Sequence, residues 1–293
     1  MKWPDRLYER CNVSENRSLA TLTTAGAGGW VDLLAEPADR EALCQVVAHL
    51  AAESIPFRLL GRGSNVLAAD GRLPGVVVCT RRLVEITQLG AGRIAADAGA
   101  PLKQLVGLCT ALGLSGAEGL VGIPGSVGGA AVLNAGGRYG QLADLVESLT
   151  VLTPDGRLRR ISGETCGFGY RSSNLAGAIV VSLTLQLQPA RAEDVRRRTR
   201  EILEEKRRSQ PLRARSCGCV FKNPPGRHAG VLLDKAGLKG ARHGDAKIST
   251  THANFMVNTG RASRSDFDAL IEKARSRVQE CFNVTLEPEV VLW

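Results

Sequence analysis

The chain has 293 residues, 44% of them hydrophobic and 23% charged, which is enough apolar mass for two or three folded domains and too much for a disordered chain. A formal net charge of +9 favours anionic partners, yet with aromatics at only 4% and no basic stripe interleaved with them, a base-stacking nucleic-acid platform is not expected. The start, MKWPDRLYER, has no apolar signal core and no stretch approaches about 18 uninterrupted apolar residues, so neither secretion nor membrane insertion is expected.

In chain order, "WVDLLAEP" predicts a strand, "ADREALCQVVAHLAAES" a helix, "PFRLL" a second strand and "GVVVCT" a third. Gly61, Gly63 and Asn65 interrupt the apolar run as a tight turn does. These elements make a first α+β unit, 1–80. A second unit, 81–189, opens on a strand pair, "RRLVEITQLGAGRIAADAG", followed by a helix starting near Pro101, where a missing amide costs nothing. It continues through residues 119–137, which hold seven glycines, too many for an ordinary helix interior. "LVESLTVLTPDGRLRRISG" predicts a hairpin turned at Asp155-Gly156, and "AIVVSLTLQLQPA" an alternating strand. Residues 191–215 hold ten Arg or Lys against five Asp or Glu; such a run is ordinarily the solvated face of a helix, with a phosphate contact as the alternative. The third unit, 190–293, then reads as a helix around "HAGVLLDKAG", strands at "AKIS" and "NFMVN", and a helix from 265 to about 281 with a Ser-Asp start.

Three groups of residues suggest chemistry. "GRGSN" and "GIPGSVGG" expose backbone amides that suit a phosphate, but neither is a Walker motif nor a dinucleotide G-x-G-x-x-G fingerprint, so a conventional dinucleotide fold is disfavoured. The eight cysteines fall mostly in apolar runs, where a thiol behaves as a small hydrophobe, and a cytoplasmic protein with reduced thiols is expected. Cys217 and Cys219 are too few for a structural zinc site and are not a C-x-x-C redox pair. A Cys-His couple with His228, His243 or His252, a proton-donating thiol and an inert buried thiol remain open, an unperturbed thiol having a pKa of roughly 8.5. Arg171 in "GYRSS" is a structural arginine or a carboxylate clamp. Glu287 and Glu289 in "LEPEV" share one face if the segment is extended; they are surface acids or, if one is buried, a carboxyl raised in pKa by desolvation that can act in its acid form.

The segments "LLGRGSNVLAAD", "GAEGLVGIPGSVGGAAVLNAGGRYG", "GFGYRSS", "CGCVFKNPPG", "AGVLLDKAGLKG", "DAKISTTHANFMVN" and "LEPEV", in this order, resemble the UDP-N-acetylenolpyruvoylglucosamine reductase family. The shorter, second type of that family is the nearer likeness. The resemblance implies an α+β fold: a two-part FAD-binding region of the vanillyl-alcohol oxidase-like kind, then a C-terminal α+β substrate-binding domain. It implies non-covalent FAD, with its pyrophosphate lined by Gly61, Arg62, Gly63, Ser64, Asn65, Gly122, Ile123, Pro124, Gly125, Ser126, Gly128 and Gly129, and with Asn134 close by. NADPH is implied as the reducing co-substrate and UDP-N-acetylglucosamine enolpyruvate as the substrate, in an active monomer. Arg171 and Glu289 are implied to stabilise the enol-like species. Cys219 stands where the family usually has a serine as proton donor, which leaves Cys217 a packing or turn residue. Arg207 and Arg208 are candidates for the substrate diphosphate, and Lys222 and Asn223 for near-site residues.

This chain departs from the family pattern in four places. It reads "LTTAGAGGW" where "T-T-F-R-V-G-G" is usual, and it has Arg62 in place of a common glycine. "NAGGRYG" is one residue longer than "NAGAYG", and the insertion that carries a substrate-covering tyrosine in one branch is missing. Two competing readings are a related FAD protein acting on another substrate, which keeps flavin without turnover, and a non-enzymatic anion-binding protein.

Overall fold

The computed structural model describes residues 9–153, 156–175 and 177–293. The chain folds into two compact units: residues 9–15, 33–62 and 75–204 form the first, and Asn16–Asp32, Gly63–Pro74 and Glu205–Trp293 form the second. Two segments from before residue 80 thus fold with the C-terminal part of the chain. No periodicity announces this, because each segment is short and its partners lie more than a hundred residues away in sequence.

A four-stranded sheet orders Cys11–Ser18, Trp30–Pro37, Arg72–Cys79 and Phe57–Leu60, the last two parallel. The helix Arg40–Ala52 buries Leu43, Val46, Val47 and Leu50 in one core with Val76 and Val78. Each such side chain contributes roughly 1.5–3 kcal/mol. Asp39 caps this helix by accepting the Ala42 amide at 2.9 Å. The strand Cys11–Ser18 is not foreseen from sequence; "CNVSENRS" lacks apolar alternation because most of its residues are not buried.

A second core of the first unit lies on an antiparallel sheet ordered Leu158–Ser162, Val146–Leu152, Ile179–Gln186, Arg93–Asp97 and Ile86–Gly90. Both expected hairpin strands pair, Leu152 opposite Leu158, while Asp155 of the turn lies outside the described residues. The helix Leu102–Ala111 begins one residue after Pro101, whose ψ of 129° leaves it extended at the N-cap.

The second unit builds one core on the sheet Arg215–Cys219, Phe255–Asn258, Ala246–Ile248 and Arg242–His243, packed by the helices Ala229–Lys235 and Arg264–Phe282. The long helix starts earlier than its sequence suggests because Ser263, not Ser265, caps it: Ser263 Oγ accepts the Asp266 amide at 3.1 Å and Asp266 returns the bond to the Ser263 amide at 2.9 Å. Asp70 accepts the Arg264 and Ser265 amides, at 2.8 and 2.9 Å, so the first turn has no orphan donor at these positions.

Candidate active site

In the first unit the glycine-rich loop is shaped by backbone pairing. Leu102 N donates to Gly125 O at 3.0 Å, Val127 N to Ala100 O at 2.9 Å and Gly128 N to Ala98 O at 2.8 Å. Gly122 and Gly125 have φ of +79° and +123°, conformations that side chains resist. Ser126 caps the helix Val127–Val132 by accepting the Gly129 amide at 3.3 Å. Gly61 meets this loop: a Cβ there would lie 2.3 Å from Ser126 Oγ. The structure therefore brings the start of "GRGSN" and the "GIPGSVGG" loop together, while Arg62 is exposed.

Asn134 is 2% exposed, and its side chain is engaged by protein. Nδ2 donates to Gly169 O at 3.0 Å and Gln141 Oε1 at 3.1 Å, and Oδ1 accepts the Ala143 amide at 3.0 Å. Its partner Gly169 opens the tight turn that carries Arg171, which is half-buried with its guanidinium carbon 5.3 Å from the centroid of the exposed Tyr170 ring.

In the second unit Cys217, Cys219, Glu289 and Asn65 gather at the strand Arg215–Cys219. Cys217 is 1% exposed within the core, and burial, reinforced by the charge of Glu289, pushes its thiol up to about 12, so it is an inert packing residue. Cys219, the other thiol of the pair, is half-buried. Asn254, 3% exposed, clamps the next peptide in a two-point bond: the Phe221 amide donates to Oδ1 at 3.0 Å and Nδ2 donates to Phe221 O at 2.8 Å. The "LEPEV" segment packs along the other side, Glu289 N donating to Val220 O at 2.7 Å and Lys222 N to Glu287 O at 2.9 Å. Asn65 Nδ2 donates to Glu289 O at 3.1 Å. Cys219, Glu289 and Asn65 thus belong to one hydrogen-bonded block.

The altered stretch at 23–29 joins the same block. Thr24 donates its hydroxyl to Ser216 O at 2.6 Å and its amide to Gly63 O at 3.0 Å, and Asn258 Nδ2 holds Ala25 O and Gly26 O at 3.0 Å each. A Cβ on Gly63, φ +65°, would lie 2.2 Å from Leu22 O. Asn258 organises the block without being singled out in the sequence, where only the polar break in "NFMVN" hints at it.

Lys222 is engaged by Glu287 at 2.5 Å, and Asn223 Oδ1 accepts the Ala229 amide at 2.9 Å. Glu287 is exposed and Glu289 half-buried. Arg207 and Arg208 are exposed near the end of the helix Ala192–Ser209. His228 and His243 are exposed. His252 Nδ1 accepts the Asn254 amide at 3.2 Å, and burial, with the charge of Lys239, lowers its pKa. Among the described residues no three His, Cys, Asp or Glu side chains are grouped to hold a metal ion, and no helix is long and apolar enough to cross a membrane.

Known proteins resemble this chain over most of its length. Residues 31–162 match the family described as FAD binding domain, and residues 210–293 match the C-terminal domain of UDP-N-acetylenolpyruvoylglucosamine reductase. The UDP-N-acetylenolpyruvoylglucosamine reductase of Syntrophus aciditrophicus is 41% identical over 93% of this chain and 89% of its own length. That of Synechococcus sp. strain JA-3-3Ab is 42% identical over 93% and 88%. The crystal structure of the reductase from Thermus caldophilus superposes with a TM-score of 0.83 at 40% identity, covering 97% of this chain and 99% of that one. Phl p 4.0202, a glucose dehydrogenase, shares only the fold, with a TM-score of 0.51 at 17% identity. The α+β fold is therefore an FAD-binding region of the vanillyl-alcohol oxidase-like kind followed by a reductase-type C-terminal domain, and the chain belongs to the UDP-N-acetylenolpyruvoylglucosamine reductase family.

Proposed function

We propose that the chain is a flavoprotein oxidoreductase that uses NADPH and non-covalent FAD to reduce UDP-N-acetylglucosamine enolpyruvate to UDP-N-acetylmuramate, a step of peptidoglycan precursor synthesis in the cytoplasm, and that it works as a monomer. The division 1–80, 81–189 and 190–293 organises this reading, the first two parts serving FAD and the third the substrate.

The residues present fit FAD. Gly61 and Gly63 sit where a Cβ would collide with Ser126 Oγ and Leu22 O, so these turns offer bare backbone to a pyrophosphate. The turn at 61–65 and the loop at 122–129 are assigned that role. When bound, FAD supplies the hydride acceptor and donor that links the nicotinamide to the vinyl carbon.

The protein's own residues do the rest. Arg171 binds the substrate carboxylate, where negative charge develops as hydride adds to the terminal vinyl carbon. Glu289 stabilises the same enol-like species. Cys219 Sγ gives its proton to the carbon bearing the ether oxygen, and the thiolate is reprotonated from solvent. Arg207 and Arg208 hold the diphosphate, with Lys222 and Asn223 lining the approach.

The observation that carries this reading is the block that fixes Cys219 beside the 287–290 segment, through the Asn254 clamp and the Glu289 N to Val220 O bond of 2.7 Å. The test is steady-state NADPH oxidation in D2O with the enolpyruvyl nucleotide. NMR of the product is expected to show deuterium at the ether-bearing carbon. NADPH oxidation that ignores the nucleotide would instead favour a related flavoprotein with another substrate.

A further inference from the structure

The turn that carries Arg171 is strained. Gly169 and Ser172 exchange backbone bonds, Gly169 N to Ser172 O at 3.0 Å and Ser172 N to Gly169 O at 3.4 Å, which puts Tyr170 and Arg171 at the corner. Arg171 has φ +53°, a left-handed conformation that is unfavourable for a residue with a Cβ and is usually left to glycine or asparagine. A conformation of that kind persists only where its surroundings over-determine it.

Two side chains do so. Asn134 Nδ2 holds Gly169 O at 3.0 Å, and Ser173 Oγ donates to Val132 O at 2.8 Å. Both tie the turn to the segment that follows the glycine-rich loop. The orientation of the Asn134 amide is fixed by its partners: Gly169 O only accepts and the Ala143 amide only donates. Both amide hydrogens are used, on Gly169 O and Gln141 Oε1. Asn134 itself has φ +41°, which asparagine tolerates better than most residues.

We propose that Asn134 is a positioning residue for Arg171: it acts on the reaction by holding the strained Gly169–Ser172 turn that presents the guanidinium, with Ser173 as the second anchor, and not by binding the flavin directly. This rests on Arg171 being the carboxylate clamp. Without the anchors the turn relaxes toward an unstrained corner and the guanidinium leaves its binding geometry.

The test uses the FAD-loaded full chain. Asn134→Asp keeps the left-handed tolerance and the acceptor for the Ala143 amide but removes the donor to Gly169 O. Three quantities are measured with Arg171 intact and in Arg171→Ala: FAD affinity from flavin fluorescence, substrate affinity of the oxidised protein from the flavin absorbance perturbation, and KM against kcat. The expected result is substrate binding weakened about tenfold by loss of the anchoring hydrogen bond, FAD affinity within about twofold, and no further weakening once Arg171 is absent. Ser173→Ala moves the same quantities in the same direction, and decides the matter if Asn134→Asp does not fold. The proposal is overturned if FAD affinity falls while substrate affinity holds, or if the anchor variants add their full effect on top of Arg171→Ala. If Arg171→Ala alone leaves substrate binding unchanged, the clamp reading fails and the coupling with it.

Discussion

The residues proposed for function are of different material in the two units. In the first, the loops proposed to face phosphate are backbone: Gly61 approaches Ser126, Gly128 approaches Ala98, and Gly122 and Gly125 take left-handed turns. In the second, the proposed chemistry rests on side chains, Cys219 and Glu289, on segments held by the buried amides of Asn254 and Asn258. A backbone site is damaged by adding atoms and a side-chain site by removing them. Substitutions in the two units should therefore fail in different assays.

The largest effect is expected at Cys219. Cys219→Ala should lower turnover by about 10²–10⁴-fold, the usual worth of a positioned general acid, while flavin content is unchanged; Cys219→Ser should recover most of it. An unaltered kcat in Cys219→Ala would remove the acid role from the second unit.

Next come the glycines. Gly128→Ala puts a Cβ 2.7 Å from that of Ala98, an overpacking that costs about 1–3 kcal/mol, and FAD binding measured by flavin fluorescence should weaken. Gly129→Ala, whose nearest neighbour is Ser126 Oγ at 3.3 Å, should be much milder. Equal effects at the two positions would show that close packing is not what the loop needs.

The smallest effect tests the second unit's architecture alone. Burial tends to raise the Asp70 carboxyl, but hydrogen bonds from the Arg264 and Ser265 amides and the Ser265 hydroxyl outweigh it and hold the carboxyl below its ordinary value. A depressed folded value means that the stabilisation is complete above the unfolded value, roughly pH 3.9, and is lost as pH falls through the folded one. Asp70→Ala should thus cost about 1 kcal/mol at neutral pH, as loss of a helix cap does, and the gap in denaturant midpoints should close below about pH 4. A gap that persists in acid would remove the charge from this cap.

Much of this is legible in the sequence because local physics and local pattern coincide. Apolar alternation marks Ile179–Gln186, and glycine density marks the loop at 122–129. What is not legible is long-range. The move of 16–32 and 63–74 into the second unit depends on pairings such as the parallel register of Val66 with Val291, which no local window contains. The engagement of Asn134 is hidden for the same reason, since Gly169 lies far along the chain. The polar edge strand Cys11–Ser18 escapes because exposed strands carry no apolar signal.

The most direct measurement is anaerobic stopped-flow absorbance of the flavin band in the purified, FAD-loaded chain, with NADPH added first and UDP-N-acetylglucosamine enolpyruvate second. The band should bleach with NADPH and return only when the enolpyruvyl nucleotide is added. A chain that retains no FAD, or a reduced band that fails to return with that nucleotide, would contradict the assignment.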